Sequence, residues 1–267
     1  MRRILGLLVF MLPVIAAAQS GIEGTWRIDL DKAQMDAKPT VYELNNGMFT
    51  CATCDPKIHI KADGQDQKVS GDPYLDTERV TVVNDNTVER EGMKNGKLVF
   101  RSKLTISPDG KTLTNQYEGH PAGGSQEVTG TETLSRLGMP EARGHALSGS
   151  WKREKWESVS DNALTFSYNL TGDGITYKSS TGESYNARFD GKDYPFHGDP
   201  GTTAVVVKKI DDHTFEETYK RNGEVVGTSQ MTIAPDGKAL TIVSESTRLG
   251  RTDRWTAEKQ VNTEASK

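Results

Sequence analysis

Between its turn signals the chain alternates. Leu98, Phe100, Ser102, Leu104 and Ile106 fall on one face of a segment whose other face carries Lys97, Val99, Arg101, Lys103 and Thr105. This is the period-two pattern of a strand with one side on a core and the other in water. Val225, Gly227, Ser229, Met231 and Ile233 repeat the phase later in the chain. Ile58, Ile60 and Ala62 match Tyr185, Ala187 and Phe189, with His59 and Lys61 on the polar side. Long helical periodicity is absent, and Asn-Gly, Asp-Gly and Pro-Asp-Gly separate the alternating segments. Asn-Gly and Asp-Gly supply the positive φ angles of tight hairpins, so the pattern predicts about eight to ten short strands in each half, joined in simple succession.

The halves are copies. Lys103-Leu104-Thr105-Ile106-Ser107-Pro108-Asp109-Gly110-Lys111 aligns with Gln230-Met231-Thr232-Ile233-Ala234-Pro235-Asp236-Gly237-Lys238 at an offset of 127 residues. The same offset pairs Asp63-Gly64 with Asp190-Gly191, Gly71-Asp72-Pro73 with Gly198-Asp199-Pro200, and Asn95-Gly96 with Asn222-Gly223. Near the start Gly24-Thr25-Trp26 aligns with Gly149-Ser150-Trp151 at an offset of 125. The expected organisation is a first repeat over 19–138, a linker over 139–146, a second repeat over 147–262 and a short tail over 263–267. A meander of this size removes its open edges by closing on itself. The fold expected is therefore all-β, with two tandem antiparallel β-barrels. A propeller fits less well, since its blades repeat every 40–50 residues or so, and paired β-sandwiches are the other alternative.

The N-terminus changes the expected location. Arg2 and Arg3, the apolar run Ile4 to Ile15 and then Ala16-Ala17-Ala18 follow the order of a secretory signal peptide, which predicts cleavage after residue 18 and export to the periplasm or beyond. No later segment has the length and apolarity of a membrane-spanning helix. The net charge of −4, with both signs interspersed, argues against a nucleic-acid partner.

Gly24-Thr25-Trp26 and Gly149-Ser150-Trp151, on the first strand of each repeat, resemble the opening motif of lipocalins and related up-and-down barrels. The resemblance implies a tryptophan plugging the closed end of each barrel and a mouth open to a small apolar ligand. It also implies an arginine from late in the barrel beside that tryptophan, for which Arg136 and Arg254 are the candidates.

Chemistry-bearing residues are few. Cys51 and Cys54 are the only cysteines. Three residues apart across a turn, and expected in an oxidising compartment, they are read as a disulfide; a redox pair would need a helix after the first thiol, and a metal site would need more ligands than His59 adds. The five histidines show no catalytic or metal-binding spacing and fall at turns, in the linker or on a polar strand face. Glu216-Glu217 and Asp211-Asp212 are adjacent acids whose side chains point apart. No catalytic motif, metal site or cofactor is expected.

The inward faces of the repeats do differ. Phe100 becomes Gly227, whereas Val88 and Gly92 become Phe215 and Tyr219. This leads to a candidate ligand site in the second repeat walled by Tyr168, Phe189, Phe215 and Tyr219 over a gap at Gly227. The function expected is non-enzymatic binding of a small apolar ligand inside one or both barrels. The alternative is an envelope interaction module with no small-molecule ligand.

Overall fold

The computed structural model describes residues 21–35, 38–122, 124, 126–139 and 144–261. The expected signal segment 1–18, most of the linker's first half and the tail 263–267 lie outside the described residues. The described residues are all-β and antiparallel, apart from one helical turn.

Strand β1 (Gly24–Met35) comes first. It is followed by β2 (Thr40–Asn45), β3 (Met48–Cys51), β4 (Ile58–Lys61), β5 (Asp63–Lys68), β6 (Thr77–Asn84), β7 (Thr87–Lys94), β8 (Lys97–Ile106), β9 (Thr112–Gly119), β10 (Val128–Leu137) and β11 (Gly149–Val159). The single turn α1 (Asp161–Leu164) leads into β12 (Thr165–Leu170), β13 (Gly174–Ser179), β14 (Ser184–Arg188), β15 (Tyr194–His197) and β16 (Ala204–Lys209), then β17 (Thr214–Arg221), β18 (Glu224–Ile233), β19 (Ala239–Ser246) and β20 (Arg251–Lys259).

Two ten-stranded sheets result, and they do not follow the repeat boundaries. One is a nearly closed barrel in the order β4-β3-β2-β11-β10-β9-β8-β7-β6-β5, whose end strands β4 and β5 are consecutive in the chain. The other is a closed barrel of β1 and β12 to β20. The repeats thus exchange their opening strands. Gly149 of β11 pairs with Tyr42 in the first barrel, and Gly24 of β1 pairs with Tyr168 in the second. Strands consecutive in sequence tend to pair, and β11 pairs with β10 over Gly130–Leu137. That pairing occupies the edge where β1 would have closed the first barrel. Strand β1 instead joins the last strand of the chain, β20, which removes the second barrel's open edges.

The turns are those that the sequence specifies. Asn46-Gly47, Asn95-Gly96 and Asn222-Gly223 all have positive φ at both residues, as two-residue hairpin loops of right-handed twist require. The Pro-Asp-Gly turns superpose in their hydrogen bonds: Gly110 N donates to Ser107 O and Gly237 N to Ala234 O, both at 2.9 Å. Cys51 and Cys54 form a disulfide with Cα atoms 5.4 Å apart. The alternation of β8 holds from Phe100 to Ile106. It fails below Phe100, because Gly92 faces Phe100 while Met93 faces Leu98, leaving Val99 as a bulge residue that packs toward the core.

Each barrel end is sealed by a crossed pair. Trp151 and Trp26 are fully buried, and their Nε1–H groups donate to the carbonyls of Leu147 and Ile22, both at 2.8 Å. The Arg136 guanidinium lies 4.1 Å from the Trp151 ring centroid and donates to the carbonyls of Gly110, Ser148 and Ala146. Over Trp26 the cation is Lys259, 5.2 Å from the ring, with Nζ donating to Gly21 O at 2.9 Å. Arg254 does not take this place, since the β20 register leaves it exposed. The glycines of the Gly-x-Trp motifs follow from the cations. A Cβ on Gly149 would lie 2.3 Å from the Arg136 guanidinium, and one on Gly24 would lie 2.8 Å from the Lys259 side chain. Both glycines also hold positive φ.

Candidate functional site

Inside the second barrel, β17 points Phe215, Glu217 and Tyr219 inward while Glu216 faces out. Glu217 is 1% exposed. Tyr168 from β12 donates to its Oε1 at 3.0 Å, Tyr185 from β14 donates to the same oxygen, and Tyr219 donates to Oε2. Among the described residues no cationic side chain forms an ion pair with this carboxylate. Burial pushes its pKa up from the ordinary carboxyl value, against the pull of the three phenol hydrogen bonds. Burial, reinforced by the Glu217 charge, raises the hydroxyls of Tyr168, Tyr185 and Tyr219 well above the usual phenol value.

A cavity of about 180 Å³ reaches this group. Phe166, Tyr168, Tyr177 and Tyr219 line it together with Ile28, Met231, Ile242 and Trp255, and Ser229 and Ser244 add two hydroxyls. Ile28 belongs to β1, so the wall depends on the exchanged strand. The aromatic rings continue along the barrel. Tyr168 and Tyr177 have centroids 5.3 Å apart, Tyr177 and Tyr185 stack at 5.4 Å, and Phe196 meets Tyr185 and Tyr219 each at 6.0 Å.

The first barrel fills the equivalent space with its own charges. Arg90 stands where Glu217 does, opposite Ser102 as Glu217 is opposite Ser229. Its Nε donates to buried Glu78 at 2.7 Å, and its guanidinium lies over Phe49 at 5.1 Å and Phe100 at 5.5 Å. The register also matches Ile28, Ile242 and Trp255 of the second barrel to Arg153, Asn115 and Glu132 of the first. Those three form a polar cluster, with Arg153 and Asn115 both donating to Glu132.

Of the residues expected at a site, Tyr168 and Tyr219 come together at the cavity. Phe189 and Phe215 pack on each other at 5.9 Å in the core and do not line it. Gly227 faces Tyr219 across the β17–β18 pair, and the two line a separate cavity of about 240 Å³ with Tyr74, Gly201 and Arg248, away from Tyr168; a Cβ on Gly227 would lie 2.8 Å from the backbone oxygen of Glu245. The first barrel reverses this pair, with Phe100 facing Gly92. The aromatic volume has moved one strand over. Glu217 is distinguished in the sequence only as half of the adjacent acid pair Glu216-Glu217, although it stands between Phe215 and Tyr219, both expected at the site.

A larger groove of about 480 Å³ runs between the barrels, lined by Val99, Tyr117, Pro121 and Val128 on one side and by Thr181 and Pro200 on the other. Beside it, Glu118, His120 and Glu127 place one potential ligand atom each within 4.8 Å of one another, but His120 Nε2 is already engaged by Glu118 at 2.7 Å. Neither a protein-family model nor a curated protein matches this chain.

Proposed function

We propose that this is an exported, non-enzymatic binding protein of lipocalin-like character that takes a small, largely apolar ligand inside its second barrel. The supporting observation is the contrast between two barrels of one ancestry. Where the first has Arg153, Asn115 and Glu132 bonded to one another, the second has Ile28, Ile242 and Trp255 around a cavity. A concave apolar wall with few polar anchors is the usual character of a small-molecule site. The volume is close to the roughly 150 Å³ that accommodates a benzene ring, so the ligand is about one ring in size. The disulfide and the absence of a membrane-crossing helix among the described residues are compatible with export.

Native mass spectrometry of protein purified from its own source tests this reading. A retained small molecule, lost in an Ile242→Phe variant that fills the cavity, is the expected result. A bare mass from the wild-type protein would remove the reading and leave the interaction module, with the groove between the barrels as its natural surface.

A further inference from the structure

The two barrels differ in one respect that bears on ligand chemistry. The first sets an arginine against each of its buried glutamates, Arg90 against Glu78 and Arg153 against Glu132, whereas in the second Asp253 pairs with Arg251 and Glu217 is held by tyrosines. Arg90 also lies over Phe49 and Phe100, with the Glu78 carboxylate at 2.7 Å. In the second, the residue at the Arg90 position is itself the acid, Glu217, and Val205 occupies the place of Glu78. The hydrogen-bond partners of Glu217 are all phenols. Phenol hydroxyls donate to a carboxylate without neutralising it, and three donors leave acceptor capacity on its two oxygens. The rings of Tyr168, Tyr177, Tyr185, Phe196 and Tyr219 form a connected wall around it, and aromatic faces attract cations.

We propose that the ligand of the second barrel is a small organic monocation, an ammonium group carried on an apolar body of about one ring. The inference rests on the ligand reading above and adds its charge. The ammonium sits against Glu217, Tyr168 and Tyr219, and the apolar body lies against Ile28, Met231, Ile242 and Trp255. A carboxylic acid of the same size is disfavoured, because its charge would meet that of Glu217 in a buried site. A neutral ligand leaves the carboxylate uncompensated.

The test compares three probes of one shape, benzylammonium, benzyl alcohol and benzoate, by calorimetric titration of the full-length protein near neutral pH. Wild-type protein should bind benzylammonium about tenfold or more tighter than benzyl alcohol, an advantage within the range of a hydrogen bond to a charged group, with benzoate weakest. Glu217→Gln should bring the ammonium and the alcohol to similar affinity. Should that variant fail to fold, Tyr177→Leu serves, and it should weaken the ammonium more than the alcohol. Equal binding of alcohol and ammonium by the wild type, or an ammonium preference that survives Glu217→Gln, overturns the charge assignment while keeping the cavity as a ligand site. If none of the three binds, the ligand reading falls with it.

Discussion

Arg136 lies 4.1 Å over the ring of Trp151, so the cation that ends one repeat covers the tryptophan that opens the next. Lys259 covers Trp26 from the opposite direction along the chain. The pairs are alike in place and unequal in bonding. Arg136 satisfies three carbonyls, whereas Lys259 is bonded to one, Gly21 O. Arg136→Met should therefore destabilise the protein by about 3 kcal/mol or more, since each charged hydrogen bond contributes about 1.5–3 kcal/mol. Lys259→Met should cost less than half as much. Chemical denaturation of the two variants compares them directly, and equal losses would contradict the difference in bonding.

The strand exchange has its own consequence for fragments. Residues 38–160 contain all of β2 to β11 and should unfold cooperatively as an isolated fragment. Residues 161–261 lack β1, with it Trp26 and the strand that closes the barrel onto β20. This fragment should fold poorly alone and gain structure when a peptide spanning 21–36 is added. Circular dichroism with and without the peptide is the measurement, and a 161–261 fragment that folds equally well without it would count against the exchange.

Arg90 and Glu78 form a buried pair, 13% and 1% exposed at their side chains. Removing one partner leaves a buried charge unpaired, so Arg90→Met should cost about 3–5 kcal/mol. Adding Glu78→Val should restore much of it. The second barrel already holds Val205, fully buried, at that position. Thermal unfolding of the single and double variants decides it, and a double variant as unstable as the single would mean that the charge is not the cause.

Much of this architecture was legible in the chain. The 127-residue offset, the Asn-Gly turns and the alternation of β8 give two antiparallel barrels of about eight to ten strands, and the spacing of Cys51 and Cys54 gives the disulfide. The exchange of β1 and β11 was not legible, because Gly24-Thr25-Trp26 and Gly149-Ser150-Trp151 present the same pattern whichever barrel receives them. Only the pairing partners distinguish the two arrangements, and these are three-dimensional. The site was half legible. Tyr219 follows from the aromatic substitutions, but Gly227 opens onto a different cavity from the one that Tyr168 lines, because the barrel interior is divided in a way that strand alternation does not show. Glu217 left a usable signal, a charged residue in phase with inward-facing Phe215 and Tyr219.

Glu217 also makes stability depend on pH. Burial raises its carboxyl in the folded state above the ordinary 4.5, so between that value and the folded one the native protein binds more protons than the unfolded chain. Stability from this group is full below about pH 4.5 and falls as pH rises through the folded value. The titratable groups facing it are Tyr168, Tyr185 and Tyr219, with Tyr177 beside them, and all four ionise above the usual phenol value. They hold no charge in this window. Glu217→Gln should remove that fall, seen as a flatter dependence of the denaturation midpoint on pH. An unchanged profile would mean that the carboxyl titrates normally.

Methyl NMR locates binding within the molecule. With isoleucine and methionine methyls labelled and benzylammonium titrated in, Ile28, Met231 and Ile242 should shift together and saturate at one affinity, while Ile58, Ile60 and Ile106 of the first barrel stay in place. Saturable binding with those three second-barrel methyls unmoved would contradict a ligand site inside the second barrel.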